Sequence, residues 1–404
     1  MEKHTLNTAR IFERILVRAP NWVGDAVMAT PFFGSLRRTF PEAAITCLCR
    51  PLVADIFRYN PDINHVRELD ETFGRSGWKA IRANAARLKG EPFDLAISLP
   101  NSLSSALIFF FARIPERVGY RGDWRRIMLT RSMTFPKKGD RPHRVESYLR
   151  LLDLVAEPVH DRKLRLVIDG QSATAVDETL RALNLLPPTR FVALAPGAAQ
   201  PNKMWMPDRF AALAQRLLND GLGVVLVGGP NERELCERVA GIPKASCGAS
   251  DSCGPDLGQG FKENTGQSDT ASMTKVMEAP NSDHALPTHS NRIVNLAGAG
   301  PLLFTAEIIR RSAAFIGNDS GLAHVAAAVG TPVVVLSGPG DPTEVVPYSE
   351  RAVTIAKTLF CKPCYRNYCW RKDKPLECLE LIEVEEVYAA SESITCTSEY
   401  DRRG

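Results

Sequence analysis

The chain lacks any hydrophobic run long enough to cross a bilayer. Its longest strongly apolar stretch, Leu103–Ala112, is about half of what a membrane-spanning helix needs. No basic segment followed by an apolar core opens the sequence, so no signal peptide is expected and the protein is read as cytoplasmic. Charge of one sign is also scarce. The 50 Lys and Arg against 46 Asp and Glu leave a formal charge of +4, too little to imply a nucleic-acid partner. The first strand–turn–helix unit has no GxGxxG, which removes the dinucleotide fingerprint. No DxD-like pair stands at a strand end. Ten cysteines in 404 residues without a secretory leader argue for reduced thiols or a metal site rather than a disulfide framework. What is plentiful is ordinary globular composition, 44% apolar and 24% charged, enough for two or three domains with full cores.

One stretch organises the rest. Ala314–Leu336 reads as a strand, a polar turn (Gly317–Gly321), a helix, and a second buried strand from Val333. Ser320 or Asp319 can cap the helix, and Gly330-Thr331-Pro332 closes it. The turn brings free backbone N–H groups, a helix N-terminus and the side chains of Asn318, Asp319 and Ser320 to one point, which suits a diphosphate. His324, one turn into the helix, either reaches back to the same ligand or is simply a half-buried histidine.

The N-terminal half alternates strand and helix. Arg14–Ala19 is a strand leading through Pro20–Asp25 into a helix expected over Ala26–Phe40. Asp25 at that helix start is either its N-cap or a carboxylate held over a cleft as a general base. Further strands are expected at Ala44–Cys49, His65–Leu69 and Asp94–Leu99, the last ending in the polar turn Pro100–Ser105 with Asn101 and Ser102. Arg113–Arg150 holds eleven Lys and Arg against four Asp and Glu. Within it Arg117, Arg121 and Arg125 either form a solvated face or recognise an anionic partner, for which guanidinium groups suit phosphate and carboxylate.

After the linker 185–189 the pattern restarts. Strand Phe191–Ala195 meets the turn at Pro196-Gly197, and Lys203 lies on the following loop, as a surface lysine or a phosphate clamp. Two successive arrays imply two doubly wound domains, 14–184 and 190–390, facing across a cleft between tails 1–13 and 391–404. Segment 244–291 is Ser-, Gly- and Asn-rich without period and reads as a disordered insertion. Near the end, Cys361, Cys364, Cys369 and Cys378 either hold a structural Zn²⁺ or pack as thiols; no other cofactor is expected.

Taken together, Arg18–Asp25, Leu99–Ser102, Pro115–Tyr120, Ala195–Gly197, Lys203–Trp205, Gly317–His324 and the four-cysteine tail resemble glycosyltransferase family 9, the ADP-heptose:lipopolysaccharide heptosyltransferases, and within it the heptosyltransferase II branch. The resemblance implies a GT-B fold of two Rossmann-like domains, with acceptor bound by the first and ADP-heptose by the second. It implies an inverting, metal-independent transfer of heptose to the lipopolysaccharide inner core, with peripheral contact to the inner membrane. Asp25 matches the general base and Lys203 the phosphate-binding lysine. Gly197, Glu232, Asn318, Asp319, Ser320, Gly321 and His324 match the donor site, with Glu232 at the ribose. Asn101, Ser102, Arg117, Arg121 and Arg125 are assigned to the acceptor. Met204 and Met206 depart from the family pattern, which usually has a basic residue and Pro there, and Ser320 stands where many members have Thr. The alternatives are a nucleotide-sugar epimerase on the same scaffold and a non-catalytic nucleotide-sugar-binding protein.

Overall fold

The structure, a computed structural model, describes residues 12–72, 74, 77–122, 124–187, 189–241 and 293–400. The expected insertion 244–291 lies outside them, as do residues 1–11 of the N-terminal tail. The described chain forms two six-stranded sheets, every strand pair parallel. The first runs β3-β2-β1-β4-β5-β6, from β1 (Arg14–Arg18), β2 (Ala44–Cys49), β3 (His65–Glu68), β4 (Leu95–Ser98), β5 (Glu116–Arg121) and β6 (Arg131–Thr134). The second runs β12-β11-β10-β7-β8-β9, from β7 (Phe191–Ala195), β8 (Gly223–Leu226), β9 (Ile293–Asn295), β10 (Ala314–Asn318), β11 (Val333–Ser337) and β12 (Ala352–Ala356).

Both sheets share one topology: the chain starts in the middle, builds outward, then crosses back and builds the other way. That places a topological switch point between β1 and β4 in one sheet and between β7 and β10 in the other, at whose carboxyl ends open α/β sheets bind ligands. Strands such as Val333–Ser337 are buried along their whole length, as in a parallel sheet covered on both faces. The α/β, two-sheet architecture expected from the sequence is the one observed.

Several local expectations change. The helix expected over Ala26–Phe40 is two helices, Val23–Met28 and Thr30–Thr39. Pro31 has no N–H to continue the first, and the Thr30 hydroxyl donates to the Val27 carbonyl instead, at 2.8 Å. Helix Gly170–Ala182, assigned from sequence to the first domain, packs on helix Leu302–Arg311 of the second, and Arg311 pairs with Asp177 at 2.8 Å. Its apolar stripe, Val176 and Leu180, is buried. The expected tail from residue 391 is instead part of helix Val384–Tyr400, which lies against the second sheet.

Candidate active site

The two domains meet helix to helix. Helix Val23–Met28, after β1, packs against helix Gly321–Ala328, after β10, and glycines make the approach possible. A Cβ on Gly24 would lie 2.7 Å from His324 Cδ2, and one on Gly321 would lie 2.9 Å from Val23 Cβ. Both contacts are shorter than side chains tolerate. The N-termini of the two helices and the carboxyl ends of β1 and β10 are thereby brought to one place.

Asp25 lies in the first turn of its helix but does not cap it. The N-cap is Trp22, with no side-chain cap bond, so the capping role is corrected. Its carboxylate meets Arg144 Nε at 3.6 Å and accepts from the Tyr148 hydroxyl at 3.4 Å. The side chain keeps 32% of its accessible surface, yet protein encloses it on most sides. Burial pushes its pKa above the ordinary carboxylate value, opposed first by Arg144 and then by the Tyr148 hydrogen bond. Lys203 and Asp319 of the other domain also act on it electrostatically, so the three groups share one electrostatic site. The strand that leads there is braced by Arg18, buried at the end of β1, whose guanidinium donates to the Ala19 carbonyl and to Asn21.

On the second domain, Lys203 Nζ is 2.8 Å from Asp319 Oδ2, with side-chain exposures of 27% and 9%. The loop carrying Lys203 is anchored by the next buried residue. Trp205 has no exposed surface, donates its indole N–H to the Ile382 carbonyl at 3.1 Å, and packs edge-on against Phe210. Asn318 ties this loop to the β7 turn: its amide accepts from Trp205 N–H at 2.9 Å and donates to the Pro196 carbonyl at 2.8 Å. Asn318 is therefore a latch between two loops, with no exposed surface of its own. Ser320 is the N-cap residue of helix Gly321–Ala328 by position, but neither it nor Asp319 closes the helix with a side-chain bond, so the capping expectation is also corrected. The first-turn N–H groups are left without a side-chain cap. His324 is 4% exposed, and burial lowers its pKa to about 4, so it is neutral at pH 7. Its Nδ1 is buried with no hydrogen-bond partner among the described residues.

Glu232 ends a short 3-10 turn after β8. Its Oε2 accepts from Gly229 N–H at 2.7 Å, and burial raises its pKa. The carboxylate lies against Gly197, where an added Cβ would fall 2.0 Å from Oε1. Gly197 thus holds space for Glu232 at the end of β7. That accounts for a glycine there without requiring it to touch ligand.

The acceptor-side residues separate. Asn101 and Ser102 follow β4, the strand beside β1, and so share the edge that holds Asp25; the Ser102 hydroxyl caps helix Leu103–Phe111. Arg121 ends β5 on the same edge, exposed, with its Nε donating to Thr134 Oγ1 at 2.7 Å. Arg117 is corrected. It pairs in register with Ala96 near the start of β5, at the opposite edge of the sheet, and its guanidinium donates to the carbonyls of Met128 (2.6 Å) and Ile114 (2.5 Å). Arg125 is buried and donates to the Gly122 carbonyl at 3.1 Å, which makes it a brace of its own turn.

Three residues went unread in the sequence. Arg144 and Tyr148 stand one helical turn apart on Arg144–Leu149 and both face Asp25. The helix was visible; its partner was not, since nothing local marks a contact more than a hundred residues away. The same helix is tied to the second domain: His143 Nε2 donates to the Val346 carbonyl at 2.9 Å, and Tyr348 donates to Glu146 at 2.7 Å. Lys362, hidden between two cysteines, donates to the Ser337 carbonyl at 3.0 Å within electrostatic reach of Asp319, and burial lowers its pKa.

Cys361, Cys364, Cys369 and Cys378 line one pocket with Lys362 and Arg371, and Cys369 Sγ accepts from Leu376 N–H at 3.3 Å. They are free thiols. Among the described residues no three His, Cys, Asp or Glu side chains are arranged to share a metal ion.

The family model described as glycosyltransferase family 9 (heptosyltransferase) matches residues 81–248 and 272–374. The chain is 28% identical over 354 residues to the lipooligosaccharide heptosyltransferase 2 of Haemophilus influenzae, covering 84% of this chain and 88% of that one. It is 29% identical over 356 residues to the lipopolysaccharide heptosyltransferase 2 of Salmonella typhimurium, covering 85% and 87%. Among solved structures, the ADP-heptose lps heptosyltransferase II of E. coli superposes with a TM-score of 0.70 at 23% identity, covering 96% of this chain and 99% of that one.

Proposed function

Because this chain belongs to glycosyltransferase family 9, the heptosyltransferases, we propose that it transfers heptose from ADP-heptose to the inner core of lipopolysaccharide, working at the cytoplasmic face of the membrane that holds the acceptor. One observation carries the reading: Asp25 from one sheet and the Lys203–Asp319 pair from the other come within electrostatic reach of each other at two switch points.

Each group has a task that its surroundings suit. Asp25 takes the proton from the acceptor hydroxyl, since a carboxylate raised by burial is a better base than an exposed one. The hydroxyl then attacks the anomeric carbon on the face opposite the leaving ADP, which inverts that centre. Negative charge grows on the departing diphosphate. Lys203 and the first-turn amides of helix Gly321–Ala328 neutralise it. Glu232, at the end of β8, takes the ribose hydroxyls, and neutral His324 supports the donor turn from below. Arg121 and Asn101 meet the anionic acceptor from the β4–β5 edge.

The reading is tested by incubating purified protein with ADP-heptose, with and without a heptose-truncated core acceptor. ADP release and heptose incorporation that both require acceptor support it. A new nucleotide sugar formed without acceptor indicates epimerisation, and donor binding without turnover indicates a binding protein; either result overturns it.

A further inference from the structure

The helix that carries Arg144 and Tyr148 to Asp25 is gripped at its start by the other domain. His143 is its N-cap residue, and the imidazole is bonded on both sides. Nδ1 accepts from Val145 N–H at 3.2 Å, which closes the first turn. Nε2 lies 2.9 Å from the Val346 carbonyl of the second domain. A backbone donor on one side and a carbonyl on the other allow one neutral tautomer, with its proton on Nε2. The ring is half-buried, and burial holds its pKa below the ordinary histidine value, so that tautomer is kept at pH 7. Tyr348, two residues past Val346, lies against the same ring with centroids 4.7 Å apart. Its hydroxyl donates to Glu146, also in the first turn, at 2.7 Å.

The far half of the helix is held within its own domain, where the Tyr120 hydroxyl donates to the Ser147 carbonyl at 2.5 Å. The near half carries Arg144. Its Nε stands 3.6 Å from Asp25, buried and without a hydrogen bond, so the backbone beneath it sets that distance. A shift of the first turn therefore changes what the carboxylate feels. The basic run 113–150 turns towards the second domain as well. Arg141 Nη1 is 3.6 Å from Glu344 Oε2, a carboxylate only 3% exposed, and Lys138 donates to the Pro363 carbonyl at 3.2 Å. Part of the charge that composition offered to an anionic partner is thus used between the two domains.

We infer that His143 and Tyr348 are positioning residues for Asp25. The clasp they form with Val346 and Glu146 holds the first turn of helix Arg144–Leu149 so that Arg144 and Tyr148 stay on the carboxylate. Four groups act on Asp25: Arg144 and Tyr148 from this helix, and Lys203 and Asp319 from the second domain. Those around His143 are Arg144 and Glu146 on its own helix and His324 across the interface. Arg144 and Tyr148 favour the ionised carboxylate, so the domain that carries Lys203 also sets how much of Asp25 is ionised at a given pH. Only the consequence for turnover rests on the heptosyltransferase reading; the effect on the carboxylate does not.

The test uses two variants of the full chain that cut the clasp and spare the helix. His143→Asn keeps an amide oxygen near the place of Nδ1, so it still caps, and has nothing at the place of Nε2. Tyr348→Phe keeps the ring against His143 and removes the bond to Glu146. Near-ultraviolet circular dichroism establishes that each is folded. The Asp25 carboxyl titration is followed by carbon-13 NMR without ligands and assigned by its loss in Asp25→Asn. In each variant it should move up by about 0.5 in pH, part of what an opposite charge supplies. The acid limb of kcat/KM should move with it, an about three-fold loss of rate below the limb, while ADP affinity by calorimetry stays unchanged. In the Arg144→Gln/Tyr148→Phe background, His143→Asn should add no further shift. A titration that stays in place in both variants overturns the proposal. So does a full shift that persists in that background, because His143 would then act on Asp25 directly. A titration that moves as expected in a chain that transfers no heptose would instead sink the heptosyltransferase reading and leave the positioning role standing.

Discussion

Asp25 and Asp319 each follow a central strand, β1 and β10, Asp25 in the first turn of the helix after β1 and Asp319 just before the N-cap of the helix after β10. Their surroundings differ. Asp319 is nearly buried and holds Lys203 at 2.8 Å, a full ion pair. Asp25 keeps a third of its surface, and its nearest cation, Arg144, stands off at 3.6 Å with an Nε that makes no hydrogen bond. The first carboxylate is neutralised in place; the second is left able to accept a proton. One topology, used twice, thus yields a charge holder and a base because of a side chain contributed from elsewhere in the chain.

The comparison breaks most sharply at Asp25. Asp25→Asn should lower kcat by at least ~10²-fold while ADP affinity changes little. Folding should not suffer. Burial raises the Asp25 pKa, so its contribution to stability is present below its unfolded pKa and lost as pH rises through the folded one. The Asn variant should therefore melt no lower than the unaltered protein at neutral pH, measured by thermal denaturation. Near-normal turnover in that variant would remove Asp25 from the chemistry.

At the Lys203–Asp319 pair the expectation is reversed. Lys203→Ala should weaken ADP binding by about ten- to a hundred-fold, since a charge contact to phosphate acts in both ground and transition states. It should also cost roughly 3 kcal/mol of stability, because Asp319 is left buried without its partner. The double variant Lys203→Ala/Asp319→Asn separates the two effects. Stability should return, and ADP affinity by calorimetry should not. Recovery of ADP affinity in the double variant would mean that Lys203 serves the fold alone.

Much of this site was legible because its parts are local. Strand, glycine turn and helix lie within a dozen residues at both Asp25 and Asp319, and the alternation of apolar and periodic segments revealed two arrays. What failed was what depends on distance along the chain. Arg144 and Tyr148 sit on a helix whose sequence says amphipathic and nothing more, yet they tune Asp25 from over a hundred residues away. Arg117 looked equivalent to Arg121 until register placed them at opposite edges of one sheet, which composition cannot reveal. The helix Gly170–Ala182 precedes the linker yet packs on helix Leu302–Arg311 of the second domain, a contact its place in the sequence does not announce.

Arg144 and Tyr148 make a smaller prediction about pH. As a base, Asp25 must be ionised, so kcat/KM should fall as pH drops through a value above the ordinary carboxylate range. Both neighbours favour the ionised form. Tyr148→Phe removes a hydrogen bond and Arg144→Gln a positive charge. Each should move that acid limb to higher pH, Arg144→Gln further, with plateau rates changed by less than about ten-fold. A limb that stays in place while the plateau falls would make these residues structural supports only.

The smallest expected effect separates two arginines that composition treats alike. Arg121 ends β5 at the edge that holds Asp25, and its guanidinium is exposed. Arg125, four residues on, is buried and donates to the Gly122 carbonyl, at a glycine whose φ of 144° marks a tight turn. Exposed ion pairs contribute under about 1 kcal/mol and are screened over ~8 Å at physiological salt. Arg121→Gln should therefore raise the acceptor KM only about two- to five-fold, leave ADP affinity unchanged, and lose its effect as salt rises. Arg125→Gln should behave differently. Losing a buried charged donor costs about 1–3 kcal/mol of stability, seen as a lower melting temperature, with no salt-dependent change in KM. If the two variants gave the same salt-dependent rise in KM, Arg125 would have to reach the acceptor after all, and the turn it now braces would have to open in the complex.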